Sequence, residues 1–144
     1  MARWQDIEDS APDFAAEVQR YFDTRVHKTL ATLRADGSPR ISGTESHFAD
    51  GDLWFGSMPN ARKALDLRRD SRFALHSGSI DPPDWDGDAK VSGLAEEVTD
   101  PERDSHLFRA DIHEAVLVGL NEARNRLVIQ LWQPDGQVQR IERR

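Results

Sequence analysis

The stretch that decides the fold runs from Asp52 to His76 and reads DLWFGSMPNARKALDLRRDSRFALH. It begins with alternating strand-forming residues, turns at Met-Pro-Asn, continues with helix-forming residues and ends in a second apolar run. We predict a strand over 52–57, a helix over 60–69 and a strand over 72–77. A strand, a short loop and a helix with basic residues in its first turn form the most specific local pattern in the chain.

Arg62 and Lys63 fall in the first turn of this helix, with Asn60 as the predicted N-cap. A helix N-terminus carries about half a positive charge, so two basic residues there are locally unfavourable. Exposed backbone N–H groups, an arginine fork and a lysine together suit a phosphate, to which Ser57 adds a hydroxyl. The pattern predicts a phosphate site; the alternative is that both side chains extend into water.

Short alternating runs separated by turn residues surround this unit. Asp-Gly pairs at 36–37, 50–51 and 135–136 mark tight turns. Further strands are predicted over 28–33, 39–48, 90–98, 126–132 and 137–141, and the valines of 111–120 favour a strand over a helix there. We also predict an amphipathic helix over about 11–26 and a short helix over 101–109, which begins at a proline.

This order predicts a mainly β, closed antiparallel barrel of about six to seven strands with two or three short α-helices, because closure removes exposed sheet edges. With 144 residues the chain is expected to form a single domain, 1–144, its barrel over about 28–142.

Composition narrows the function classes. The chain has no cysteine, which excludes disulfides, thiolate metal sites and a cysteine nucleophile. A net charge of -7 disfavours general nucleic-acid binding, yet five basic residues against two acids in 62–72 provide a local site for a small anion. No apolar run suits a membrane span or a leader peptide, so a cytoplasmic location is expected.

The segments 52–57 and 62–75, with the near-NPR turn at Asp70-Ser71-Arg72, resemble the pyridoxamine 5′-phosphate oxidase-like family of flavin-binding split β-barrels. The resemblance covers about residues 25–142 and is most specific in this core. It implies an antiparallel split β-barrel and a homodimer, with the cofactor sites at the subunit interface. The compact length and the run RKALDLRRD look like the actinobacterial branch, whose members use FMN or the deazaflavin coenzyme F(420).

The resemblance also implies roles for individual residues. Arg62 and Lys63 would hold the cofactor phosphate, and Ser57 corresponds to the hydroxyl at the strand end. The other implied cofactor contacts are Arg40, Ile41, Ser42, Gly43, Thr44 and Gly56 along the ring, and Trp132-Gln133 with Arg140 or Arg143 reaching the flavin of the dimer partner.

The resemblance implies a flavin- or deazaflavin-dependent oxidoreductase, in which the cofactor would supply hydride or electron transfer. The chain is shorter than a typical oxidase of pyridoxamine phosphate and lacks the full C-terminal arginine and histidine set, so a different small-molecule substrate is expected. Two alternatives stay open. One is a non-catalytic store or sensor of flavin or haem, with His47 or His76 as haem ligand, and the other is a barrel that has lost its ligand.

Other polar features are weaker signals. Ser42, Thr44 and Ser46 alternate on one strand and therefore share one face, from which they either offer hydroxyls to the cofactor or simply meet water. The five histidines show no metal-ligand spacing, and the acidic segment 81–88 lacks the EF-hand register, so no metal site is expected.

Overall fold

The computed structural model describes residues 1–144 and contains three helices and eight strands. The helices are α1 (Trp4–Ser10), α2 (Pro12–Thr24) and α3 (Arg62–Arg69). The strands are β1 (His27–Leu33), β2 (Pro39–Ala49), β3 (Asp52–Ser57), β4 (Arg72–His76), β5 (Gly87–Glu97), β6 (His106–Leu120), β7 (Leu127–Trp132) and β8 (Val138–Arg143).

Six of the strands close into an antiparallel barrel. Their order is β3-β2-β1-β4-β5-β6, and pairing of β3 with β6 completes the ring, while β7 and β8 extend the sheet beyond β6. The β2–β3 hairpin turns at Asp50 and Gly51, both of which have positive φ (54° and 77°). Two successive left-handed residues are what a two-residue hairpin requires, and this explains the Asp-Gly pair.

The closing seam joins residues 54–57 of β3 to residues 106–109 of β6, with Ser57 opposite His106. At this seam the two backbones approach closely at Gly56, where a Cβ atom would lie 2.9 Å from the carbonyl oxygen of His106. Glycine is therefore required for the strands to pair here. The cofactor residues predicted at the end of β3 thus stand where the barrel closes.

The core fills the barrel and continues beneath the N-terminal helices. Buried apolar side chains include Leu30, Leu53, Phe55, Leu75, Val91, Phe108 and Ile112. Helix α2 covers one end with Phe14, Val18, Tyr21 and Phe22 on a single face. Burying a side chain of this size contributes about 1.5–3 kcal/mol, so the helix and the barrel stabilise each other.

The N-terminal helix predicted over about 11–26 is confirmed as α2, and a second helix, α1, precedes it. Pro12 cannot donate a backbone hydrogen bond and disfavours helical geometry in the residue before it, and Ala11 has φ -147° accordingly. Helix α1 was not predicted because its sequence, WQDIEDS, is largely polar, although Trp4 and Ile7 are buried.

Two further boundaries differ from the prediction. Helix α3 begins at Arg62 with Ala61 as N-cap, and Asn60 is not the cap, since it has a left-handed φ of 59°. The helix predicted over 101–109 is absent, because from His106 onward the chain pairs with both β3 and β5. Those two ladders outweigh the weak helix signal of a proline after an acid.

The prediction of a mainly β antiparallel barrel with two or three helices is confirmed, with one strand more than the seven expected. No helix is long and apolar enough to cross a membrane.

Candidate functional site

The first two residues of α3 line different clefts. Lys63 lines a cleft of about 610 Å³ that we call the histidine cleft, because His27, His47 and His106 also line it. Arg62 lines a smaller recess of about 370 Å³ on the other side, which we call the arginine pocket. The loop 58–61, which joins β3 to α3, therefore stands between two concave surfaces.

Five of the residues predicted to bind a cofactor meet in the histidine cleft: Gly43, Thr44, Gly56, Ser57 and Lys63. Lys63 Nζ donates to the carbonyl oxygen of Gly43 at 2.8 Å. Burial lowers the pKa of Lys63. Because an ammonium has three donors and one is used by Gly43, Lys63 retains hydrogen-bonding capacity for an anion.

The alternating hydroxyls of β2 face inward rather than into solvent. Thr44 is buried and its hydroxyl donates to the Gly56 carbonyl at 3.1 Å, while Ser42 and Ser46 are partly buried. The outward face of β2 carries Ile41 and Gly43 instead. Thr44 therefore braces β2 against β3, and its hydroxyl proton is already engaged within the protein.

The arginine pocket gathers four guanidinium groups around a buried carboxylate. Arg34, Arg40, Arg62 and Arg69 line it together with Asp36 and Asp66. Asp66 Oδ2 accepts from Arg40 Nε at 2.7 Å and from the Thr32 hydroxyl at 2.8 Å, and its Oδ1 accepts from Arg69 Nη2 at 3.0 Å.

These contacts determine the charge of Asp66. Its side chain is only 4% exposed. Burial by itself raises the pKa of Asp66, but the hydrogen bonds from Arg40, Thr32 and Arg69 outweigh it and the pKa is lowered. The carboxylate is therefore ionised at neutral pH and fixes the direction of two guanidinium groups.

The pocket has donor capacity that no protein atom uses. Arg34 and Arg62 make no side-chain hydrogen bond or ion pair, and Arg40 engages only its Nε. Asp36, the second acid, is hydrogen-bonded to Ser38, and this lowers the pKa of Asp36. Four arginines less two aspartates leave a formal excess of two positive charges around this recess.

A second polar cluster lies at the other end of the loop 58–61. His106 Nδ1 is 3.0 Å from Glu97 Oε2, and Nε2 of the same ring accepts the backbone N–H of Asn60 at 3.1 Å. Arg68 donates to both carboxylate oxygens of Glu97 at 2.7 and 2.9 Å. The hydrogen bond from Arg68, assisted by His106, lowers the pKa of Glu97 to about 2.

The remaining predicted residues lie apart from these clefts within one protomer. Ile41 is 75% exposed and lines an apolar groove on the outer sheet face. Trp132 is buried and its Nε1 donates to Ser10 Oγ at 3.0 Å. Arg140 lies on exposed β8 and pairs with Glu142. The roles that resemblance gave to Trp132 and Arg140 in a partner's site stay predictions.

Sequence reasoning missed Asp66, Arg34, Glu97 and His106. Asp66 carried a usable signal, because a carboxylate beside the buried Ala64 and Leu67 of α3 needs a cationic partner. His106 carried none, because its contact with Asn60 depends on the pairing of β3 with β6.

The closed antiparallel barrel, with its sheet extended by β7 and β8, has the architecture of a split β-barrel. The family model described as pyridoxamine 5′-phosphate oxidase matches residues 14–131. The chain belongs to this family.

Solved structures share the fold at low sequence identity. PhzG from Burkholderia lata 383, in complex with tetrahydrophenazine-1-carboxylic acid, is 13% identical with a TM-score of 0.66, and the match covers 88% of this chain and 90% of that one. An F(420) reductase is 18% identical with a TM-score of 0.55, over 67% and 94% of the two chains. A heme binding protein from Mycobacterium smegmatis is 18% identical with a TM-score of 0.60, over 84% and 58%. No curated protein matches.

Proposed function

We propose that the protein binds a phosphate-bearing flavin-type cofactor, FMN or the deazaflavin coenzyme F(420), and uses it as an oxidoreductase on a small molecule. The observation that carries this proposal is the arginine pocket beside the histidine cleft. Family membership supports the same reading, since the matching family model is that of pyridoxamine 5′-phosphate oxidase.

The arginine pocket suits a phosphate monoester in charge and in donors. Its formal excess of two positive charges matches a phosphate, which carries about -1.5 to -2 at neutral pH. Arg40 and Arg62 have guanidinium N–H groups without a protein acceptor, and such groups bind phosphate in bidentate fashion. Lys63 follows Arg62 in the chain and adds a positive charge for the phosphate from the side of the histidine cleft.

The histidine cleft is the part of the site that suits the ring system. Its volume of about 610 Å³ lies within the range of about 300–1,000 Å³ of small-molecule pockets. Gly43 and Gly56 have no side chains, so the backbone that lines the histidine cleft is accessible there. Ser57 and Lys63 present polar groups at the edge of the cleft. The bound cofactor would supply the hydride or electron transfer, while these residues bind and orient it.

We propose a homodimer as the functional form. The outer sheet face carries Ile41, Ala31, Ala74 and Val116 around an apolar groove of about 250 Å³, and Ile41 is 75% exposed. Exposed apolar residues on this face support the proposal of a subunit contact there. In such a dimer Trp132 and Arg140 are the residues we expect nearest to the partner's cofactor, as the family resemblance implies.

A haem-binding store is the second candidate. His47 lines the histidine cleft, is exposed and makes no hydrogen bond, so its imidazole has both ring nitrogens available. A heme binding protein shares the fold. A neutral imidazole in an open cleft is a haem ligand by its chemistry.

The test is a titration of the purified protein with FMN, with F(420) and with hemin. Quenching or polarisation of cofactor fluorescence by FMN or F(420) at micromolar concentration supports the proposal and selects the cofactor. A Soret shift with hemin alone favours the haem store. Binding of none of the three contradicts both functions and leaves only the fold.

A further inference from the structure

The loop 58–61 is anchored at one point by a side chain from the opposite strand. His106 lies across the barrel seam from Ser57, the last residue before the loop. Its side chain is 6% exposed, and its Nε2 accepts the N–H of Asn60 at 3.1 Å. This inference rests on the proposed function, because the loop leads directly into Arg62 and Lys63.

The partners of the ring fix its tautomer. Glu97 is ionised and has only acceptor oxygens, so Nδ1 at 3.0 Å from it must carry the proton. Nε2 is then the lone-pair nitrogen, which is what the N–H of Asn60 requires. Arg68 holds Glu97 with two hydrogen bonds, so the chain of contacts runs from α3 through β5 and β6 to the loop.

The anchored residue is the one that sets the direction of the loop. Asn60 has a left-handed φ of 59°, which asparagine tolerates better than most residues. The next residue, Ala61, accepts the first helical N–H groups from Ala64 at 3.0 Å and Leu65 at 3.2 Å. The position of Asn60 therefore determines where α3 begins and how Arg62 and Lys63 are presented.

We propose that His106 is a positioning residue for the cofactor site, which holds the loop 58–61 and the start of α3 through the N–H of Asn60. It acts through the loop and not on the cofactor, because both ring nitrogens are engaged by the protein.

The charged and titratable groups around the ring come from one helix, three strands and one loop. They are Glu97 on β5, Lys63 and Arg68 on α3, Arg103 in the loop before β6, and across the cleft His27, Glu45 and His47. Substituting His106 alone isolates its contribution to the position of the loop, because these neighbouring groups are unchanged.

Three variants separate positioning from packing. His106→Phe keeps a ring against Phe108, whose ring centroid lies 6.3 Å away, but removes the acceptor. His106→Gln places an amide oxygen near the Nε2 position, where it can accept the N–H of Asn60 without the aromatic ring. His113→Gln is the matched control, since His113 lies on the same strand, is exposed and contacts neither cleft.

The experiment measures cofactor affinity by fluorescence titration and, in the cofactor-free protein, hydrogen exchange at the Asn60 amide. We expect His106→Phe to weaken FMN or F(420) binding by about tenfold and to speed exchange at Asn60. His106→Gln should restore most of the cofactor affinity and most of the protection of the Asn60 amide.

Other outcomes overturn the inference. If His106→Phe binds the cofactor as tightly as the wild type, and its Asn60 amide exchanges at the wild-type rate, the anchor does not position the loop. Equal losses in His106→Phe and His106→Gln, with faster exchange throughout the barrel, indicate packing alone. If the wild type binds neither cofactor, the proposed function is wrong. Unchanged hydrogen exchange at Asn60 in the cofactor-free variants would contradict the anchor independently of that result.

Discussion

Asp66 on α3 and Arg40 on β2 form an ion pair in which the Oδ2 and Nε atoms are 2.7 Å apart, with the carboxylate almost fully buried. Thr32 and Arg69 complete the donors to the same carboxylate. One buried charge thus ties β1, β2 and α3 together and directs two guanidinium groups. The arginine pocket therefore depends on Asp66.

Replacing Asp66 by asparagine should lower the free energy of unfolding by about 2–4 kcal/mol at pH 7, because two arginines lose their buried counter-charge. The lowered pKa of Asp66 means that the stabilisation is present at neutral pH and is lost as pH falls below the usual range of aspartate. Urea denaturation measures the difference. Asp70→Asn is the control, since the Asp70–Arg72 pair is at the surface. Equal losses in the two variants would contradict the central role of Asp66.

Arg62→Ala should weaken FMN or F(420) binding by about tenfold and leave stability unchanged or slightly raised. Arg62 has no protein partner, and removing a cation from a helix N-terminus contributes about 0.3–1 kcal/mol in favour of folding. Thermal unfolding and cofactor titration measure the two effects. Arg126→Ala, also an exposed arginine without a side-chain partner, should change neither. A loss of stability in Arg62→Ala would show an unseen structural role.

Two glycines of the histidine cleft should respond differently to alanine. At Gly56 the added Cβ lies 2.9 Å from a backbone oxygen, so Gly56→Ala should destabilise the barrel by about 1–3 kcal/mol. At Gly43 no atom lies within 4 Å of the added Cβ, and Gly43→Ala should leave stability within about 0.5 kcal/mol. Chemical denaturation distinguishes them, and similar values for both would contradict the close approach at the seam.

Glu97→Gln should make stability less dependent on acid pH. The pKa of Glu97 is lowered to about 2, so its ionised form stabilises the fold above the usual glutamate range, and this contribution is lost as pH falls from about 4.5 toward 2. At pH 7 the free energy of unfolding of the wild type should exceed that of the variant by about 1–2 kcal/mol, a value that allows for the partial exposure of Glu97. This difference should shrink on acidification. A difference that is constant with pH would contradict the assigned contacts.

The barrel was predictable because the sequence patterns that specify its strands and turns are local. The Asp-Gly pairs at 36–37 and 50–51 and the alternation around them fixed the first hairpins, and the register placed Ser57 at a strand end. Helix α1 was not predictable from WQDIEDS, because only contacts with the core reveal that Trp4 and Ile7 are buried. Its stability comes from packing rather than from propensity.

The candidate site was predictable in part. The basic pair at the start of α3 identified the region, but successive helical residues point about 100° apart, and Arg62 and Lys63 therefore line two clefts. The anchor between His106 and Asn60 joins residues 46 positions apart and follows from closure of the barrel. No local pattern records such a contact.

The central claim is that the arginine pocket binds the cofactor phosphate, and comparison of FMN with riboflavin tests it most directly. The two share the ring and ribityl chain and differ only by the phosphate. We expect the wild type to bind FMN about a hundredfold more tightly, and this preference to collapse to about tenfold or less in the Arg40→Ala, Arg62→Ala double variant. A variant that keeps the full preference, or a wild type that binds both flavins equally, would contradict the account.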